Sequence, residues 1–116
     1  MEQVDIREMT FQFALDIVSL YRDGVSSNEF VLSKQVLRSG TSIGANVEEA
    51  QAAQSKKDFT SKMAIASKEA RETRYWLKLI KESKIFAKST GLDDLISKND
   101  SIIRVLTKIV KTSSVK

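Results

Sequence analysis

The sequence predicts an all-α protein, an antiparallel up-down-up-down four-helix bundle, and three observations lead to it. Apolar residues recur at three- and four-residue steps in four segments, which is the periodicity of amphipathic helices. The 116 residues include no proline and four glycines, and 29% are charged, a composition that suits long helices. Short connections make consecutive helices neighbours. We expect one domain over residues 1–116, with helices at about 6–22, 31–53, 56–84 and 92–112.

The first helix begins at a capping box, in which Asp5 would accept from backbone N–H groups and Glu8 would reach back. The apolar pattern predicts that this helix ends near Arg22. The next residues, Asp23-Gly24 and Ser26-Ser27-Asn28, favour turns. We therefore predict a loop between the first and second helices there.

The second helix contains a run of small residues from Arg38 to Asn46, with Gly40 and Gly44 inside it. Each glycine costs a helix interior about 1 kcal/mol relative to alanine. Two such glycines indicate tight packing against a partner helix, and a frayed or kinked helix is the alternative.

The third helix is separated from the second at Ser55–Asp58, a second possible capping box. Without a break there, the helical pattern would be too long for a small globular domain. Its apolar seam alternates in steps of four and three, as in helix bundles. The seam consists of Phe59, Met63, Ala66, Ala70, Thr73, Leu77 and Ile80.

Three further apolar residues of this helix, Ile65, Trp76 and Leu79, lie roughly 100° or more from the seam. A helix that is apolar on two sides needs two neighbours. A flanking helix of the same chain could cover the second side, and a subunit interface explains an outward tryptophan. We predict a homo-oligomer.

The fourth helix is predicted to start at Thr90-Gly91-Leu92-Asp93. We expect the polar tail, residues 111–116, to fray. The apolar face comprises Leu92, Leu95, Ile96, Ile102, Ile103, Leu106, Ile109 and Val110.

Composition excludes several classes of site. The chain has no cysteine and no histidine, so it lacks the usual ligands of zinc and most transition metals and cannot form a disulfide. We expect neither a metal nor a cofactor. No apolar run approaches the roughly 20 residues that span a bilayer, and no signal-peptide pattern is present. We expect a cytoplasmic protein without membrane contact.

Charge is distributed unevenly along the chain. Residues 1–30 carry two basic and six acidic side chains, whereas residues 55–91 carry ten basic and four acidic ones. Cations recur at helical spacing on the third and fourth helices, and such stripes can follow the phosphate backbone of RNA or DNA. The candidate nucleic-acid contacts are Lys68, Arg71, Arg74, Lys78, Lys81, Arg104, Lys108 and Lys111.

These basic stripes are also compatible with two roles that involve no nucleic acid. Glu69, Glu72 and Glu82 lie on the same helix, and pairs of opposite charge often do no more than solvate a surface. The acidic first helix could also pair with the basic surface between subunits, or a protein partner could dock there.

An enzymatic role is disfavoured. Arg38, Asn46, Glu49, Glu69 and Arg71 could serve acid–base or phosphate chemistry, but pairing between helices is the stronger interpretation. A di-iron carboxylate bundle needs a Glu-x-x-His pair, and an RNA-cleaving bundle of the Arg-x4-6-His type needs its histidine; the chain has none. We expect no catalytic residue.

Two motifs resemble a known family. Residues 35–50 read QVLRSGTSIGANVEEA, and residues 68–73 read KEARET, preceded by Asp58-Phe59 and followed by Tyr75-Trp76-Leu77. They closely resemble the bacterial four-helix-bundle family of 23S ribosomal RNA intervening-sequence proteins, from about Met9 to Val110. Relatives in that family include the accessory protein of diversity-generating retroelements, which works with a reverse transcriptase and nucleic acid.

The resemblance implies a ring-like homopentamer of four-helix bundles with basic surfaces and a nucleic-acid role. It implies that Arg71, Arg74 and Lys78 are candidate contacts. At Ala50 many relatives have glycine, a departure that affects local packing only. Five matching positions imply a role in helix register or subunit contact, a role also expected for Ile65, Trp76 and Leu79; they are Arg38, Asn46, Glu49, Glu69 and Glu72.

We therefore expect a non-enzymatic, oligomeric bundle that binds structured RNA or DNA through backbone phosphates. The alternative is a protein-interaction scaffold, or an accessory subunit, without direct nucleic-acid contact.

Overall fold

The computed structural model describes residues 5–87 and 91–115, which form four α-helices. They are α1 (Ile6–Ser26), α2 (Val31–Ala50), α3 (Lys56–Ser83) and α4 (Leu92–Ser113). The described residues contain no β-strand, so the predicted all-α, four-helix fold class is confirmed. None of these four helices has the hydropathy that a membrane-spanning segment requires.

The end of α1 differs from the prediction, because the helix continues past residue 22 to Ser26. Gly24 lies inside it and is buried; a Cβ there would be 2.7 Å from Cβ of Ser33 and 2.8 Å from the ring of Phe86. The glycine therefore admits two close neighbours instead of turning the chain. The turn comes later, at Asn28, whose φ is 58°.

The start of α2 is capped by the carboxylate of Glu29, a role that the sequence analysis missed. One oxygen accepts from the N–H groups of Val31 (3.0 Å) and Leu32 (2.9 Å), and the other accepts from that of Ser33 (2.8 Å). The residue is 9% exposed. Burial acts to raise the pKa of Glu29, but the hydrogen bonds donated to its carboxylate hold the pKa below its ordinary value of 4.5.

The predicted caps of α1 and α3 are present. Asp5 accepts from the N–H groups of Arg7 (3.0 Å) and Glu8 (3.4 Å), and the hydroxyl of Ser55 accepts from the N–H of Asp58 (3.0 Å). Each bond satisfies a donor that the first helical turn leaves unpaired. The two helices therefore begin where the sequence predicts.

The end of α2 lies earlier than predicted, at Ala50 instead of residue 53. The N–H groups of Gln51, Ala52 and Ala53 bond to carbonyls three residues back. This tighter spacing closes the last turn and ends the α-helix.

The start and the end of α4 compare differently with the prediction. The proposed Thr90 cap lies outside the described residues, and the cap residue of α4 is Gly91. The predicted fraying from residue 111 is wrong as far as Ser113, where the helix ends. The hydroxyl of Ser113 lies 2.8 Å from that of Thr60, which holds the end of α4 against the start of α3.

The helices surround one core. Contacts join α1 to α2, α2 to α3, α3 to α4 and α4 to α1, so α1 lies diagonally opposite α3. Phe86, from the connection between α3 and α4, also enters the core. The other buried apolar side chains are Phe13, Ile17, Leu20, Val36, Ile43, Val47, Ala50, Met63, Ala66, Ala70, Leu77, Ile80, Leu92, Leu95, Ile102 and Leu106.

The predicted seam of α3 faces this core. All seven of its residues are buried except Phe59, which is partly buried against the core. The Thr73 hydroxyl lies 2.9 Å from the buried hydroxyl of Ser39 in α2. The side-chain amide of Asn99 in α4 donates to the carbonyl of Ala70 at 2.9 Å. These buried polar contacts tie α3 to both of its neighbours.

Gly40 is the point at which α1 and α2 approach closely. A Cβ on Gly40 would lie 2.8 Å from Cγ1 and 2.9 Å from Cγ2 of Ile17, which is fully buried. Ile17 is branched at Cβ, so these atoms cannot swing away freely. The close packing predicted for this glycine is therefore present.

We predict that Gly40→Ala destabilises the protein. Overpacking costs about 1–3 kcal/mol and outweighs the gain of about 1 kcal/mol in helix propensity. We expect a net loss of about 1 kcal/mol in the free energy of unfolding, measured with urea by circular dichroism. Ala45→Gly, on the exposed side of α2, measures the propensity effect alone. An increase in stability for Gly40→Ala would contradict close packing at this position.

We predict that Glu29→Gln lowers the free energy of unfolding by about 1–2 kcal/mol near neutral pH, because the amide replaces a charged cap. The pKa of Glu29 is lowered in the folded state, so its contribution is present above the ordinary value of 4.5 and is lost as pH falls through the folded-state pKa. The difference between the two proteins should therefore shrink below that pH.

Urea unfolding over a pH series measures this difference. Glu82→Gln removes an exposed carboxylate and serves as the control, for which we expect no comparable loss at neutral pH. A gap for Glu29→Gln that stays constant as the solution is acidified would exclude the ionised cap.

Candidate nucleic-acid interface

The predicted cations of α3 lie on its outer side and on the side that faces α4. All five are exposed. At 100° per residue, Lys68, Arg71 and Lys78 lie on the outer side of the helix. Together with Tyr75 they form a surface that we call the outer α3 patch. Arg71, Tyr75 and Lys78 line a shallow depression that Arg74, Leu79 and Glu82 complete.

The basic stripes of α3 and α4 meet at Arg71. Its Nη2 donates to the hydroxyl of Thr107 at 3.2 Å. Arg104 and Lys111 lie three residues before and four residues after Thr107, which places them along the same side of α4. Lys108 is adjacent in sequence and exposed. The structure therefore combines the two stripes into one basic surface.

One end of this surface is neutralised within the chain. Arg74 pairs with Asp100 (Nε to Oδ1, 2.7 Å), and Lys81 pairs with Asp93 (Nζ to Oδ1, 2.6 Å). The hydrogen bond and the negative charge of Asp93 raise the pKa of Lys81. These two predicted contacts already hold a carboxylate, so we expect them to attract phosphate less strongly than the other cations do.

The rest of the surface keeps its positive charge. Within the described residues Lys68, Lys78, Lys108 and Lys111 form no ion pair. Arg104 donates to the hydroxyl of its neighbour Ser101 at 3.0 Å, a contact that leaves its charge uncompensated. The basic character therefore increases towards the start of α3 and the end of α4.

Two cations at that end were not predicted. Lys56 and Lys57 open α3, and Nζ of Lys56 donates to the carbonyl of Val115 at 2.8 Å. This contact places Lys56 beside the end of α4, and Lys57 lines the same depression as Ser113 and Ser114. The sequence could have indicated these two lysines, because they lie in the first turn of α3 and the neighbouring helix α4 ends in cations.

Tyr75 is the functional candidate that sequence reasoning missed. It is 61% exposed, although it lies in the middle of α3. The helical period would have revealed it, because residue 75 lies roughly opposite the buried seam at 100° per residue. Its outward ring lies between Arg71 and Lys78, two exposed cations that line the same depression.

The candidate register residues lie on the other side of α3. Arg38 of α2 pairs with Glu69 at 3.4 Å and also with Glu72. The indole N–H of Trp76 donates to Glu72 at 2.9 Å. Glu49 of α2 pairs with Lys62 of α3 at 3.1 Å. Four of the five residues thus connect α2 to α3.

Asn46, the fifth, donates from its amide to the carbonyl of Ser42 at 2.8 Å, within its own helix. Of the three apolar residues assigned to a subunit contact, Ile65 is 39% exposed and Leu79 is partly exposed. Trp76 is partly buried against the core, as expected if a flanking helix of the same chain covers this side of α3; the subunit contact of these residues stays a prediction. Glu72 and the core together hold the Trp76 ring inward.

Comparison with known proteins identifies a family and a similar solved structure. Residues 2–108 match the family described as 23S rRNA-intervening sequence protein. The chain is 42% identical to a protein with unknown function from the S23 ribosomal protein family of Bacteroides thetaiotaomicron VPI-5482, known from a crystal structure, with a TM-score of 0.87. That similarity covers 92% of this chain and 99% of the other. The search of curated proteins found no match.

Proposed function

The chain belongs to the 23S rRNA-intervening sequence protein family, and we propose that it is a non-enzymatic, oligomeric helical bundle that binds structured RNA or DNA through backbone phosphates. The observation that carries this proposal is the basic surface that α3 and α4 form together around Arg71 and Thr107. The family description names ribosomal RNA only through its intervening sequences. It is consistent with a nucleic-acid role.

The chemistry of the surface suits phosphate recognition. Lys68, Lys78, Lys108 and Lys111 are flexible point charges, and Arg71 and Arg104 offer planar donors. Contacts to phosphate give affinity without reading sequence. We therefore expect binding that depends strongly on salt and weakly on base sequence.

We propose an up-down-up-down order of helices and a homopentameric ring, as the family resemblance implies. Two contacts favour the helix order: Lys81 near the end of α3 meets Asp93 at the start of α4, and Lys56 at the start of α3 meets Val115 beyond the end of α4. A ring would present several copies of the basic surface to one nucleic acid, which raises the apparent affinity through multivalency.

An apolar stripe on α1 supports an oligomer. Phe11, Leu15 and Val18 follow helical spacing and are 59%, 50% and 37% exposed. Because α1 lies diagonally opposite α3, a subunit contact through this stripe would leave the outer α3 patch accessible. One surface can thus serve assembly while the other binds phosphate.

We propose that the protein acts without catalysis, cofactor or metal. Among the described residues Glu29 is the buried carboxylate, and three backbone N–H groups occupy its two oxygens. The chain has no histidine or cysteine to serve as base, nucleophile or ligand. Because the proposed ligand is RNA or DNA, we propose that the protein acts in the bacterial cytoplasm.

A protein-interaction scaffold is the second candidate. Arg74 and Lys81 show that carboxylates of this chain can neutralise the stripe, and the apolar stripe of α1 could bind a different protein. In that case, acidic groups of a neighbouring subunit or partner would cover the remaining cations.

We predict that Lys78→Gln combined with Lys108→Gln weakens binding to a DNA or RNA duplex and flattens its salt dependence. Each lost phosphate contact reduces the slope of log K against log salt by about 0.9 for a duplex, so the double variant should lose about 1.8. Fluorescence anisotropy across a salt series measures this slope, and light scattering measures the mass of the oligomer.

The matched control is Arg22→Gln combined with Lys34→Gln. It removes the same charge from exposed positions of α1 and α2, so the slope should change little. Equal effects of the two double variants would exclude the α3–α4 surface as the binding site. A folded oligomer that binds no duplex even at low salt would instead favour the scaffold.

A further inference from the structure

We propose that Tyr75 is a stacking platform for an unpaired base, so that the outer α3 patch takes a single-stranded segment of RNA or DNA. This inference rests on the proposed function and names the form of nucleic acid that this part of the surface recognises. Tyr75 contacts the base in this arrangement, and the neighbouring cations contact the phosphates.

The first observation is the setting of the Tyr75 ring. The residue is 61% exposed, and Arg71, Arg74, Lys78 and Leu79 line the depression beside it. A core aromatic would be covered, whereas this ring offers a face to solvent. An exposed ring among cations is the arrangement with which proteins hold single strands, since every base can stack on a π-face.

The second observation is that neighbouring side chains hold the ring in place. The ring centroids of Tyr75 and Trp76 lie 5.2 Å apart with an interplanar angle of 74°. Trp76 is fixed by its indole hydrogen bond to Glu72, which in turn pairs with Arg38 of α2. The chain of contacts limits the movement of Tyr75 before any ligand arrives, so less conformational entropy is lost on binding.

The third observation is the spacing of the charges. Arg71 lies four residues before Tyr75 and Lys78 three residues after it, which corresponds to about 6 Å and 4.5 Å along the helix axis. Cations on both sides of the ring can contact the phosphates that flank one stacked nucleotide. A base inside a duplex is covered on both faces by its neighbours, so the ring can only stack on a base that is unpaired or at an end.

The test measures binding of an unstructured oligothymidylate or oligouridylate of about 12 nucleotides and of a much longer blunt duplex, in which few bases lie at an end. The variants are Tyr75→Ala, Tyr75→Phe and Tyr75→Leu. Phe30→Ala is the matched control, because Phe30 is a 48% exposed aromatic residue at the start of α2, outside both the outer α3 patch and the apolar stripe of α1. Comparison of oligouridylate with oligothymidylate shows whether the patch prefers RNA or DNA.

We expect Tyr75→Ala to weaken single-strand binding by about 5- to 150-fold, the range for loss of one base–aromatic stack. Tyr75→Phe should keep the affinity, since its ring still stacks, and Tyr75→Leu should lose it. Duplex binding and the salt slope should stay unchanged, because no phosphate contact is removed. Phe30→Ala should leave binding to both forms unchanged.

Tryptophan fluorescence supplies a second readout. Trp76 is the single tryptophan of the chain, and it contacts the ring of Tyr75. The single strand should change Trp76 emission in the unmodified protein and in Tyr75→Phe, whereas the duplex should not.

Three results would overturn the inference. Equal loss of single-strand and duplex binding in Tyr75→Ala would make the residue structural, and no loss would exclude stacking. A change of oligomer mass in Tyr75→Ala would place the ring in a subunit contact.

If the unmodified protein binds duplex but Tyr75→Ala has no effect on either ligand, only this inference fails. If it binds neither ligand, the proposed function fails as well.

Discussion

The rotation of α3 about its own axis is the constraint on which the rest of the structure depends. Its seam combines large side chains with two alanines, Ala66 and Ala70, that are fully buried. Buried polar contacts from Ser39 on one side and Asn99 on the other then favour one orientation of α3, in which the Thr73 hydroxyl and the Ala70 carbonyl both find partners. A rotation by one residue, about 100°, would turn the seam out of the core. With the seam inward, Tyr75 must face solvent.

The same orientation decides the electrostatics of the surface. Arg74 and Lys81 point towards the first half of α4, where Asp93 and Asp100 neutralise them. Arg71 instead meets the hydroxyl of Thr107, with Arg104 and Lys111 on either side. A basic helix thus becomes a surface with a neutralised end and a cationic end. Exposed ion pairs of this kind add little to stability, but they determine which cations remain available to a ligand.

The diagonal placement of α1 and α3 separates two surfaces that would otherwise compete. The exposed apolar stripe of α1 and the outer α3 patch lie on opposite sides of the bundle because contacts run only between adjacent helices among the described residues. Gly40 permits the close approach of α1 to α2, and Gly24 does the same near Phe86. These glycines therefore allow α1 to pack closely on the side of the bundle away from the basic surface.

The sequence by itself determined the four helices, the seam of α3 and the caps at Asp5 and Ser55, because periodicity and capping depend on residues within one or two turns of each other. It also showed where cations lie along each helix. Only the tertiary structure decided that α1 passes through Gly24, that Glu29 caps α2, that Asp100 neutralises Arg74, and that Trp76 packs against the core. Most of these outcomes depend on contacts between residues of different helices, which local sequence patterns do not encode. The Glu29 cap instead requires a chain turn that brings its carboxylate to the start of α2.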